Sequence, residues 1–81
     1  MLSCSQYDEL EVVCLYRYPI ELVLKDSSSL EGVAIDIQYN TLRQECLTVQ
    51  IIDGKKYIPF NDVLRLNVCV KNAKVQQISF V

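Results

Sequence analysis

The sequence predicts a mainly β domain with one N-terminal α-helix, a small, strongly bent antiparallel barrel or sandwich of about five to seven strands. Three observations carry that expectation. From Tyr18 onward, apolar residues recur at every second position in short runs separated by polar turns. Gly32 interrupts one of those runs, where a flat strand would carry a side chain, and marks a sharp bend or bulge. Ahead of Tyr18 the apolar period is helical.

Residues 6 to 15 are expected to form the helix. Ser5 can act as its N-cap, its hydroxyl accepting from a free backbone N–H. Asp8 and Glu9 then fall in the first turn, where the helix dipole favours acid. At the helical repeat Tyr7, Leu10, Val13 and Cys14 share one arc of about 120°, and Asp8, Glu9, Glu11 and Val12 lie opposite. One face packs, and the other meets solvent or a partner.

Residues 18 to 81 are expected to make the barrel. Ile20, Leu22 and Leu24 alternate with Glu21, Val23 and Lys25 in a first strand, and Asp26-Ser27-Ser28-Ser29 is a turn by composition. Leu30 to Ile37 is a second strand, bent at Gly32. Asn40-Thr41 breaks the chain before a β-rich run from Cys46 to Ile52. Asp53-Gly54 reads as a tight hairpin turn with positive φ at both central residues, leading into Lys55 to Phe60. Pro59 has no N–H for a ladder, which places that strand at an edge or a bulge. After Asn61-Asp62, Val63 to Val70 alternates, with Leu64, Leu66, Val68 and Val70 on one side. Lys71-Asn72-Ala73-Lys74 turns the chain before a last strand, Val75 to Val81.

The 81 residues allow a single domain, 1–81. A chain of this size buries only about 60% of its unfolded surface, so it depends on a well-formed core. With 51% hydrophobic residues and only two Gly and two Pro, the composition supplies one and excludes a disordered or fibrous class. No apolar run approaches the roughly 20 residues that span a bilayer. No signal peptide is visible, so a cytoplasmic protein is expected. Cysteines stand at 4, 14, 46 and 69 with no close-spaced pair and no histidine anywhere, which gives no zinc-type ligand set. They are expected to be reduced, structural thiols. Without histidine, a nucleophile beside a base, or a glycine-rich phosphate loop, the chain is not expected to be an enzyme or to hold a cofactor.

Charge is more telling. The net charge is −2 and the pI about 4.9, which weighs against binding a phosphate backbone. Asp8, Glu9 and Glu11 precede Arg17 with no base among them, so the N-terminal end is the negative pole.

Two resemblances overlap on these residues. The stretch from 19 to 40, with Gly32, Asp36 and Asn40 spaced by four, resembles the first motif of Sm-like β-barrels, in which Asp and Asn sit near a nucleotide pocket. The second Sm motif should fall near Arg65. Here it reads Leu64-Arg65-Leu66, without the glycine that follows in Sm proteins, which argues against a working Sm-type RNA pocket. The fuller match is to the Rof (YaeO) family. Cys4, Tyr7-Asp8, Leu10-Glu11, Cys14, Leu24-Lys25-Asp26, Leu30, Ala34 and Asp36 stand at that family's spacing in one ungapped block from 4 to 36. Beyond it the likeness is one of strand pattern. Where relatives commonly have Lys-Asp-Gly at the first turn, this chain has Lys25-Asp26-Ser27.

The resemblance implies a Sm-like barrel with an N-terminal helix that binds the termination factor Rho. It would occlude the RNA-binding surface on Rho's N-terminal domains, inhibit Rho-dependent termination and so act as an antiterminator. An acidic helix complements a basic single-strand RNA groove, and opposite charge steers encounter. Two other readings stand beside it, a Sm-like RNA-binding module and an acidic adaptor for another basic protein. The negative pole and the missing glycine favour the Rho-binding reading, so no direct nucleic-acid contact and no membrane contact is expected.

The residues expected to meet the partner are Ser5, Gln6, Tyr7, Asp8, Glu9, Glu11 and Val12 on the helix, with Lys25, Asp26 and Asp36 from the barrel. Each also has a structural reading. Ser5 and Gln6 can be cap and first turn, Tyr7 a core residue, the acids a solvated face, and Asp36 with Asn40 the end of a strand and start of a turn. Sm rings form by strand pairing across subunit edges, but Pro59 and Lys55-Lys56 would blunt one edge here, so a monomer is expected.

Overall fold

The helix starts two residues earlier than the sequence predicts. In the computed structural model, which describes residues 2–81, α1 spans Cys4–Leu15 and is capped by Ser3, not Ser5. Ser3 Oγ accepts from the Gln6 N–H at 3.1 Å, and Gln6 Oε1 accepts from the Ser3 N–H at 2.9 Å. This reciprocal capping box satisfies two free donors together, which Ser5 alone could not do. The first turn consequently contains no acid. At the far end Arg17 adopts φ 53, and its N–H and that of Tyr18 return to the carbonyls of Cys14 and Val13 at 3.2 Å each. A left-handed residue there ends the helix, at a cost of about 1 kcal/mol for a side chain other than glycine.

Six strands follow, as the alternation requires: β1 Pro19–Leu24, β2 Ser29–Tyr39, β3 Glu45–Ile51, β4 Gly54–Pro59, β5 Val63–Val68 and β6 Gln77–Ser79. A 3-10 turn, Phe60–Asp62, joins β4 to β5. They form one antiparallel sheet in the order β4-β3-β2-β1-β5-β6. Its edges β4 and β6 do not pair, so the bent sheet stays open and is not a hydrogen-bonded barrel. Proline ends β4, and β6 has only three residues, so neither edge offers a long ladder.

Two local features bend the sheet. A Cβ on Gly32 would lie 2.5 Å from the Gln50 carbonyl oxygen, so β3 can fold over β2 there only because that side chain is missing. Just beyond, the β2–β3 register shifts between Ala34 and Asp36, a bulge at Ile35. A second shift, between Val23 and Leu24 on β1, skips Leu64 on β5. Leu64 is therefore half-buried and does not share the core face of Leu66 and Val68, contrary to simple alternation.

The β3–β4 hairpin also corrects the sequence reading. Ile51 pairs with Gly54, so the turn is centred on Ile52 and Asp53, neither of which has positive φ. Gly54, at φ 138, takes the unusual conformation alone, as in hairpins whose ordinary turn is relieved by a following glycine. In the β1–β2 turn the same role falls to Ser27, at φ 74, and the Asp26 carboxylate accepts from the Ser28 N–H at 2.9 Å.

The core lies between the sheet and α1. Leu10 and Val13 of the helix pack with Ile20, Leu22, Ala34, Leu47, Val49, Leu66 and Ile78. Strand β3 is buried from Cys46 to Val49 without alternation, so both its faces are covered. The four cysteines are free, with Cys14 and Cys46 buried and Cys4 and Cys69 exposed. Among the described residues no helix is long and apolar enough to cross a membrane.

Candidate functional site

Helix α1 is pinned by three side chains before it presents anything outward. Gln6 Nε2 donates to the Ser79 carbonyl of β6 at 3.0 Å, and the Tyr7 hydroxyl donates to the Glu45 carboxylate at the start of β3. Arg17, just past the helix, donates through its guanidinium to the carbonyl of Ile35, the residue displaced by the β2 bulge. Sequence irregularity on β2 and helix termination thus satisfy one another.

Between α1 and β2 runs a groove of about 470 Å3, and Tyr7, Glu11, Leu15, Arg17, Asp36 and Tyr39 are among its walls. Glu11 and Asp36 reach it from different elements, and both carboxylates are exposed. Asp36 accepts from its neighbour's N–H, that of Ile37, at 2.8 Å, which orients the carboxylate along the strand. Cys14 lies at the floor. Burial chiefly, then the Asp36 and Glu11 charges, pushes its thiol up to about 11 against the lowering effect of Arg17. It is a protonated, inert thiol at neutral pH.

The residues expected to meet a partner separate into groups. Glu11 and Asp36 share the groove with Tyr7, which is half-buried. Asp8 and Ser5 are exposed on the helix, and Glu9 is half-buried. Gln6 is committed to the cap and to Ser79. Val12 is not an exposed apolar residue among acids. It is half-buried and packs on the core. Lys25 and Asp26 stand on the β1–β2 turn, and Lys25 lines a different cavity, whose wall also includes Tyr7. Asp26 is held below the usual carboxylate range, chiefly by the Ser28 hydroxyl. Asn40 is a turn residue, its Oδ1 accepting from the N–H groups of Leu42 at 2.9 Å and Gln44 at 3.0 Å.

Sequence reasoning missed Tyr39, which is 69% exposed at the groove's edge, and Arg17. Tyr39 had a signal, as a large aromatic at the last position of a strand. Arg17 had none, because its place depends on the bulge. Among the described residues no cluster of three or more Cys, Asp or Glu side chains could hold a metal ion.

Comparison with known proteins agrees with this architecture. A family model, modulator of Rho-dependent transcription termination (ROF), matches residues 1–80. Among solved structures, YaeO bound to magnesium from Vibrio cholerae O395 has a TM-score of 0.84 and 25% identity, covering 93% of this chain and 97% of that one. A search of curated proteins finds no match.

Proposed function

We propose that this chain, which belongs to the Rof family of modulators of Rho-dependent transcription termination, acts by binding Rho itself and covering its RNA-binding surface. Rho then fails to load on the transcript, and termination is inhibited. The docking surface is the outer face of α1, with Asp8 and Glu11 at its centre, Ser5, Glu9 and Tyr7 beside them, and Asp36 across the groove. Lys25 and Asp26, on the β1–β2 turn, form its periphery. The reading places the chain in the cytoplasm, where transcripts are made.

One observation carries it. A helix dipole explains acid only in the first turn, and this first turn has none. Asp8 and Glu11 begin after it and are exposed, so local helix energetics give no reason for their charge. A surface for a basic partner does. Because the protein is acidic as a whole, with net charge −2, the same field that attracts a basic groove repels free RNA.

The test is charge reversal. Asp8→Lys with Glu11→Lys leaves the packed face untouched and should weaken capture of purified Rho tenfold or more, since charge-assisted contacts shielded in an interface contribute about 1.5–3 kcal/mol each. Wild-type capture should weaken steeply with salt. Lys55→Glu, on the far hairpin, should change little. If the doubly reversed protein folds and still binds Rho like wild type, α1 is not the docking surface. The chain acts as a monomer in this reading, because exposed Lys55 and Lys56 and terminal Pro59 protect the β4 edge. A ring-sized species in light scattering would contradict that.

A further inference from the structure

The cavity on the other side of Tyr7 shares Tyr7 and Lys25 with the proposed docking surface, but its chemistry is the reverse of the acidic groove. It measures about 500 Å3, within the range of about 300–1,000 Å3 usual for small-molecule sites. Lys25, Arg43, Tyr7, Tyr39, Phe60 and Asn61 line it, brought from the helix, two turns, a strand end and the 3-10 turn. Two cations thus face it from separate turns. Glu45 is the one carboxylate side chain in the lining, and the Tyr7 hydroxyl ties it toward the helix.

The turns that carry the two cations are fixed by backbone hydrogen bonds. Arg43 sits at φ 60 in a turn closed by its own N–H to the Asn40 carbonyl at 3.0 Å. The Asn40 side chain also grips Gln44, its Nδ2 donating to Gln44 Oε1 at 3.0 Å. The Lys25 N–H donates to the Asp62 carbonyl at 3.0 Å, which fixes its turn against the 3-10 turn. Phe60 meets Tyr7 and Phe80 edge-on, with centroids at 6.2 and 5.4 Å, making a rigid floor. Tyr39 stands at the opening, 69% exposed.

We propose that this cavity binds a free nucleoside monophosphate. The phosphate lies between Lys25 and the Arg43 guanidinium, whose fork of donors fits two phosphate oxygens. The base stacks on Tyr39, and the Asn61 amide reaches its edge. A single nucleotide fits better than an RNA strand, because further phosphates would run beside Glu11 and Asp36 in the adjoining groove. Its ring would also touch Tyr7, the residue that anchors the acidic helix, so occupancy is felt at the docking face.

Titration of the full chain with AMP and with UMP, followed by backbone amide NMR shifts, tests this. Separate arms use inorganic phosphate, adenosine and a uridine hexanucleotide. Both nucleotides should give saturable shifts centred on Lys25, Tyr39, Arg43 and Asn61. Phosphate and adenosine alone should each bind about tenfold more weakly or worse. Arg43→Gln and Tyr39→Leu, with otherwise native spectra, should each weaken AMP about tenfold, and Lys56→Gln should not. No saturable shift with either nucleotide overturns the proposal. So does phosphate binding as tightly as AMP, which would mean a bare anion patch. A hexanucleotide binding more tightly than UMP also overturns it, in favour of an RNA track.

Discussion

Gly32→Ala should be among the most damaging small substitutions in the molecule, for a reason that can be worked from two distances. The added Cβ would lie 2.5 Å from the Gln50 carbonyl oxygen and 2.6 Å from Val49 Cγ1. Ordinary carbon–oxygen contacts between strands are about 3.3–3.6 Å, so something must move by most of an ångström. Val49 is fully buried and the Gln50 oxygen belongs to the backbone of β3, which is paired on both sides. Overpacking of this kind costs about 1–3 kcal/mol, and the reduced freedom of the unfolded chain returns about 0.4–1 kcal/mol. A net loss of about 1.3 kcal/mol remains at mid-range. For a domain of this size that lowers Tm by about 5–10 °C. Thermal melts by circular dichroism, checked by urea midpoints, measure it. Gly54→Ala is the internal comparison, since its Cβ would meet nothing within 4 Å and only its φ of 138 is unfavourable. If Gly32→Ala melts with wild type, steric approach is not what bends the sheet.

Two further outcomes follow from buried groups. Thr48 is 2% exposed and its hydroxyl has no hydrogen-bond partner among the described residues, so Thr48→Val, which keeps the shape, should raise stability by about 1 kcal/mol in urea unfolding. Cys14 titrates at about 11 when folded against an ordinary value of 9.0. The folded protein then holds a proton that the unfolded chain has lost, so stability is undiminished below pH 9 and falls as pH rises toward 11. Cys14→Ala should flatten that decline between pH 9 and 10, and an unchanged slope would exclude the thiol as its source. Above pH 10 a fall remains, because the Glu45 carboxylate, through its hydrogen bond, raises Tyr7 as well.

The strands were legible because a one-sided sheet writes its period directly into the sequence, and Gly32 because a missing side chain has few other uses in such a run. The irregularities were not. Ser3 and Ser5 are equally good caps in isolation, and only the Gln6 side chain reaching back decides between them. Asp53-Gly54 carries the strongest hairpin signal, yet pairing of Ile51 with Gly54 moves the turn back one residue. Val12 falls on the polar side of a helical wheel but packs on the core. At the site, Asp8 and Glu11 could be read from charge alone, whereas the groove that Glu11 borders could not. It depends on a bulge at Ile35 that brings Asp36 opposite Glu11. The cavity lined by Lys25 and Arg43 joins residues from across the chain, and no local pattern predicts that convergence.

Displacement of RNA tests the central claim most directly. Fluorescence anisotropy of a labelled pyrimidine-rich oligonucleotide is followed first with this protein alone, then on preformed Rho–oligonucleotide complex as the protein is added. The account predicts no rise in anisotropy with the protein alone. It predicts a saturable fall on the Rho complex, shifted to at least tenfold higher concentration by Asp8→Lys with Glu11→Lys. Direct binding of the oligonucleotide by this chain, or tight binding to Rho that leaves the RNA in place, would contradict it.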